Sequence, residues 1–163
     1  MSRVDPHTKI ARAFESSSPE QTERLGESIG RLIPAGSAVS LEGGLGAGKT
    51  CLAGGLLRGL GIDAVALSPT FILVEEYRGG RTPVLHFDLY RLEELGEAER
   101  IGLLDAVDGT NVVIVEWGDR LPGGVLAFDV RISIAVTGAS SRRIIVEAPA
   151  GIAAALDATE GAR

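Results

Sequence analysis

The stretch Leu41-Glu42-Gly43-Gly44-Leu45-Gly46-Ala47-Gly48-Lys49-Thr50 constrains the fold more than any other part of the chain. A short apolar run, Ala38, Val39 and Leu41, leads into it, and a helix-like segment follows it. From Gly43 to Thr50 it fits G-x-x-x-x-G-K-[ST], in which glycines let the backbone wrap a phosphate chain with its N–H groups turned inward. The helix that follows adds its positive N-terminal end at the same spot. Gly43, Leu45, Gly46, Ala47 and Gly48 then form the cradle, Lys49 reaches the outer phosphates, and the Thr50 hydroxyl binds Mg²⁺. The competing reading, a glycine-rich turn with an incidental lysine, does not account for the strand and helix signals on either side.

The elements around the loop follow from local signals. Ser18 at N-cap, Pro19 at N1 and Gln21 at N3 predict a capping box, opening a helix with Leu25, Ile29, Leu32 and Ile33 on one face. Pro34 and Gly36 end it. The helix after the loop runs from Lys49 to about Leu60 and closes on Gly61. A β-rich run from Phe71 to Tyr77, a turn at Arg78-Gly79-Gly80-Arg81 and a second run from Val84 to Tyr90 predict an antiparallel hairpin. Helical spacing from Arg91 to about Val107 points Leu92, Leu95, Ile101 and Leu104 inward. Val112 to Val115 reads as a buried strand ending in Glu116 and Trp117. Val125 to Val136 and Ser141 to Glu147 predict a second hairpin. Residues 1–17 read as a flexible tail, 18–148 as a single domain, and 149–163 as a tail or short helix. The whole describes an α/β protein: a P-loop NTPase-like three-layer fold with a mixed parallel and antiparallel central sheet.

Two acids stand out on this scaffold. A period of two places His86, Asp88 and Tyr90 on one, polar, face of their strand and Leu85, Phe87 and Leu89 on the core face. That polar face is either solvated or part of the site. Glu116 follows four β-branched residues, where a nucleotide-hydrolysing fold places the acid that holds Mg²⁺. Val115 precedes it and Trp117 follows, so a second acid for the attacking water is missing from this strand end. Asp88 is the candidate for a second metal contact or for orienting the water, and a partner completing the site is the other solution. Weak hydrolysis by the isolated chain is the consequence. Lys49, Asp88 and Glu116 are thus the catalytic candidates, with Thr50, Glu116 and Asp88 as metal ligands.

Composition narrows the classes. The chain has 163 residues, 45% of them hydrophobic, which suits one domain with a real core. No apolar run approaches the ~20 residues that span a bilayer, and the first residues lack the apolar core of a secretory signal, so a cytoplasmic protein is expected. The single cysteine, Cys51, excludes an internal disulfide and a multi-cysteine zinc site. The net charge of −6 argues against a broad basic face gripping nucleic acid. Lys9 and Lys49 are the only lysines.

Several strings together resemble a known family. Ser18-Pro19-Glu20-Gln21-Thr22, Leu25-Gly26, the loop Gly43 to Thr50, Ser68-Pro69-Thr70-Phe71, Glu76-Tyr77, His86-Phe87-Asp88-Leu89-Tyr90-Arg91 and Val115-Glu116-Trp117 occur in the order and spacing of the bacterial TsaE (YjeE) family. The match runs from about residue 18 to about residue 147. The resemblance implies an ATPase required for the threonylcarbamoyl modification of adenosine 37 in tRNAs, using ATP and Mg²⁺. It implies TsaB and TsaD as protein partners, tRNA met indirectly through the complex, and neither membrane nor DNA. By position, Lys49 and Thr50 match the family's phosphate and Mg²⁺ residues, Glu116 its metal acid and Asp88 its second essential acid. Thr70 matches a loop threonine facing the nucleotide, with a turn-capping threonine as the alternative. Thr22 joins the nucleotide-binding set in the same way.

The chain departs from that family at a few positions. Gly44 replaces a common acidic residue, and Cys51 stands where threonine is frequent. At a helix N-terminus Cys51 is either a thiol of lowered pKa or a small packed side chain, the second being favoured. Trp117 lies near the nucleotide or a partner, or in the core. Arg142 and Arg143 are within the sequence reach of a nucleotide, with a solvated role preferred. Two other functions share the loop and the size: a small-molecule kinase, and an assembly switch in which binding rather than turnover matters. No Asn-Lys-x-Asp string for guanine is present, which favours ATP.

Overall fold

The computed structural model describes residues 8–66, 74–91 and 102–161. The parallel heart of its sheet follows from strands that are apolar on both faces. β2 (Ala38–Glu42) and β5 (Val112–Glu116) are buried along nearly their whole length, as strands covered on both sides must be. β2 pairs in parallel with β5 and with β6 (Val130–Val136), and β5 pairs in parallel with β4 (Val84–Asp88). Antiparallel strands close both sides: β3 (Val74–Tyr77) beside β4, and β7 (Arg142–Pro149) followed by β1 (Lys9–Ser16) beside β6. The order is β1-β7-β6-β2-β5-β4-β3; the sheet has seven strands and is mixed parallel and antiparallel, the mixed character being what the hairpin patterns predicted.

Residues 9–16, expected within a flexible tail, form a strand. The alternation of Ile10, Arg12, Phe14 and their neighbours is short and loosely polar, so only its eight-residue pairing with β7 reveals it. Val125 to Asp129 is not strand; β6 starts at Val130, where the chain can pair with Val39. The 149–163 segment contains α4 (Ala150–Glu160), tied to β1 by Arg12 and Asp157 at 2.7 Å.

One face of the sheet carries α1 (Pro19–Leu32) and α2 (Lys49–Gly59) over Val39, Leu41, Val84, Val112 and Ile114. On the other face Phe87, Leu89, Val113 and Val115 pack with Phe128 and with Leu103 and Ala106 of the short helix α3 (Leu103–Ala106). Leu104, expected inward, is exposed, because in α3 the buried positions are Leu103 and Ala106. Leu92, Leu95 and Ile101 lie outside the described residues. The Ser18 side chain accepts from the Gln21 N–H, as predicted, but Gln21 returns its carbonyl to the Ser17 N–H at 2.8 Å rather than to Ser18.

α1 and α2 touch along their backbones. Gly26 and Gly30 on α1 face Gly55 and Gly59 on α2, and a Cβ at any of the four would come within 2.5 Å of a backbone oxygen of the opposite helix. Arg81, in the β3–β4 turn, donates to Gly59 O at 2.9 Å and to Gly30 O and Ile33 O at 2.6 Å, satisfying carbonyls at the C-terminal ends of both helices. α2 is therefore held at its far end and along its flank, and its first residues, Lys49 and Thr50, are held with it.

Candidate functional site

The carboxyl ends of β2, β4 and β5 open on one side of the sheet, the place where open α/β sheets bind ligands. The loop leaves β2 with Gly43 at φ +150°, Gly46 at +72° and Gly48 at +113°, conformations that side chains rarely adopt. At Gly43 a Cβ would also lie 2.6 Å from Ile134 O. Leu45 is exposed at the tip and Ala47 is buried. Gly48 is the N-cap of α2 and provides no side-chain cap, so the N–H groups of the first turn remain open to an anion.

Lys49 is nearly buried, and its Nζ donates to Gly43 O at 2.6 Å and Gly44 O at 2.8 Å. The same ammonium sits 4.1 Å from the centre of the Trp117 ring, a cation–π contact. Burial pushes the Lys49 pKa down, opposed by the attraction of Glu116, Asp88 and Asp119. Trp117 reaches this position because its backbone is left-handed, φ 61°, immediately after β5. Tyr90 packs on its ring at 5.1 Å.

The two acids are brought together by register. Asp88 pairs with Glu116 on adjacent parallel strands, and both carboxylates are almost completely buried on the α2 side of the sheet. Thr50 Oγ1 lies 3.2 Å from Glu116 Oε1, and Asp88 accepts from the Tyr90 N–H at 2.9 Å. The polar face expected on β4 is thus not solvated: α2 covers it, and His86 is fully buried.

A pocket of about 290 Å³ is lined by the loop, Lys49, Thr50, Asp88, Tyr90, Glu116 and Trp117. A second, also about 290 Å³, lies across the loop against Thr22, Ser18, Cys51, Ser140 and Arg142. Thr22 is buried and shares a hydrogen bond with Ser16 Oγ at 2.8 Å. Thr70 lies outside the described residues. The donor set fits a hard cation with phosphate: hydroxyl and carboxylate oxygens beside a lysine and an uncapped helix start. Among the described residues no cluster of three or more histidine, cysteine or acidic side chains forms a complete metal cage. An ion held here would complete its shell with water and phosphate, the habit of Mg²⁺ rather than zinc.

Arg142 corrects the sequence reading. Its guanidinium donates to Ala47 O at 2.8 Å, Ser141 O at 3.0 Å and Gly138 O at 3.3 Å, bracing the loop from β7. No sequence signal connects positions 95 residues apart. Arg143 is the solvated one, 3.6 Å from Glu15. Cys51 packs with Sγ 3.2 Å from Pro19 O, and burial, then Glu23 and Glu20, pushes its thiol pKa up, which favours the packed reading over an activated thiolate.

A glycine loop between a parallel strand and a helix, with buried acids ending the neighbouring strands, defines a P-loop NTPase-like protein. The chain belongs to the TsaE family: residues 16–145 match the model of the threonylcarbamoyl adenosine biosynthesis protein TsaE. It is 43% identical to the tRNA threonylcarbamoyladenosine biosynthesis protein TsaE of Treponema pallidum, over 80% of this chain and 96% of that one. To the Bacillus subtilis protein of the same name it is 40% identical over 61% of each. The crystal structure of Bacillus subtilis YdiB superimposes with a TM-score of 0.71 at 27% identity, covering 94% of this chain and 99% of the other. Among the described residues no helix is long and apolar enough to cross a membrane.

Proposed function

We propose that this chain is the Mg²⁺-dependent ATPase of the machinery that makes N6-threonylcarbamoyladenosine at position 37 of tRNA, weak alone and activated by TsaB and TsaD. One observation carries the reading: Lys49, Thr50, Asp88 and Glu116 converge beside the glycine loop at the ends of parallel strands.

The loop N–H groups and the start of α2 bind the phosphates of ATP, and Lys49 leaves its loop carbonyls for the outer phosphates. Thr50 and Glu116 hold Mg²⁺, with Asp88 as second acid. When bound, Mg²⁺ would draw charge from the outer phosphates and so favour transfer of the terminal phosphoryl group to water, with ADP as the leaving group. Asp88 either shares the ion or orients that water. The Thr22 pocket has room for the nucleoside. A partner that completes the site on assembly would leave hydrolysis slow until TsaB, TsaD and tRNA come together.

The test is phosphate release by the pure chain, alone and with TsaB, TsaD and tRNA. A large increase on assembly is expected. Transfer of labelled phosphate to a metabolite, with no effect of the partners, would return the site to a kinase. Glu116→Gln is expected to bind ATP and fail in both hydrolysis and tRNA modification. Full modification by that variant would make the protein a binding switch.

A further inference from the structure

We infer that His86 is a positioning residue for Glu116, an inference that rests on the reading of Glu116 as the magnesium-holding acid. His86 belongs to β4, two residues before Asp88, and faces Ile114 across the parallel pairing. Its ring reaches along the diagonal to the next residue on that face of β5, where Nε2 lies 3.2 Å from Glu116 Oε1. A carboxylate oxygen only accepts, so Nε2 carries the hydrogen and donates it. Nδ1 is buried without a hydrogen-bond partner among the described residues.

An imidazole in this place is costly. It is fully buried on a face shared with Val84, Val112 and Ile114, with the Tyr77 ring 6.5 Å away, and one of its two nitrogens is unsatisfied. An aliphatic side chain would fill the same space without that penalty. What only the histidine supplies is the N–H on Glu116. Thr50, among the described residues, also donates to that oxygen, and the proposed mechanism turns it toward the ion. His86 makes no second hydrogen bond among the described residues, so its hydrogen bond keeps the carboxylate in one orientation whether or not Thr50 is engaged. Hydrogen bonds of this outer kind orient metal-holding acids and change metal affinity about 10- to 100-fold when removed.

The experiment measures binding of ADP to the full chain by calorimetry, in EDTA and across a magnesium titration, with melting temperature followed in parallel. His86→Leu is expected to bind ADP in EDTA like the wild type, while the magnesium needed for half of the full effect rises about tenfold or more. His86→Gln, whose amide N–H can reach the same oxygen, is expected to recover most of that shift. An unchanged magnesium titration for His86→Leu overturns the inference. So does a loss of affinity that is equal in EDTA and magnesium and is not relieved by His86→Gln, since that pattern marks a packing role alone. If wild type and Glu116→Gln show the same magnesium dependence, the reading of Glu116 itself fails, which separates that failure from one confined to His86.

Discussion

The contact between α1 and α2 allows a comparison of two neighbouring glycines. A Cβ on Gly55 would stand 2.1 Å from Glu23 O, 2.9 Å from Glu27 N and 2.9 Å from Gly26 Cα, all backbone atoms. A Cβ on Gly54 would meet only Ala66 Cβ at 3.7 Å and Glu23 Oε1 at 3.8 Å, ordinary contacts. Both residues are inside α2, so both gain about 0.5–1 kcal/mol of helix propensity on becoming alanine. For Gly55→Ala that gain is outweighed, because relieving the contact requires the helices to part by roughly an ångström along a well-packed seam, and overpacking of this kind costs about 3 kcal/mol or more. The expected net effects are a loss of about 2 kcal/mol for Gly55→Ala and a gain of about 0.5–1 kcal/mol for Gly54→Ala. For a chain of this size they correspond to a melting temperature lower by about 4–8 °C in the first case and higher by about 1–4 °C in the second. Calorimetric melting, backed by urea unfolding with unchanged slope, reads both. The displacement also moves Lys49 and Thr50, so Gly55→Ala should bind nucleotide more weakly while Gly54→Ala binds as the wild type does. Equal melting temperatures for the two variants would refute the steric reasoning, whatever the nucleotide affinities.

Two further outcomes follow from the site. Removing the brace on the loop, Arg142→Ala, should weaken nucleotide binding about 5- to 30-fold, the loss of about 1–2 kcal/mol in charge-assisted hydrogen bonds at a half-buried position, whereas Arg143→Ala, in an exposed pair, should leave it unchanged. Calorimetric titration of the two variants side by side checks this, and equal affinities would remove Arg142 from the loop's support. The Cys51 thiol, with its pKa raised by burial and by Glu23 and Glu20, holds less thiolate than a free cysteine at pH 8. Iodoacetamide should therefore modify it more slowly than it modifies glutathione at that pH, with the rate still climbing beyond the pH where glutathione levels off. A rate equal to that of glutathione at pH 8 would show the thiol to be neither buried nor beside those acids.

Much of this architecture was legible locally. The glycine loop, the Ser18 cap, the breaks at Pro34 and Gly61 and the β-branched run of β5 are signals that a few adjacent residues carry, and each appears where it was expected. β1 was not legible, because an edge strand of mixed exposure is decided by its partner rather than by its own pattern. His86 illustrates the same limit. Alternation correctly placed it with Asp88, yet whether that face meets water or a helix depends on where α2 lies.

From the amino-acid order alone came the phosphate-type loop, the lysine and threonine that open α2, and two candidate acids, since backbone conformation and helix starts are set by neighbours in the chain. Tertiary structure decided that the acids are adjacent, through the Asp88–Glu116 register, and that Arg142 and Trp117 close on the loop from opposite sides. It also decided the glycine seam that sets α2 against α1. Such relations join residues tens of positions apart. They exist only when strands pair and helices pack, because the free energy that selects them comes from burial and close contact in the finished fold.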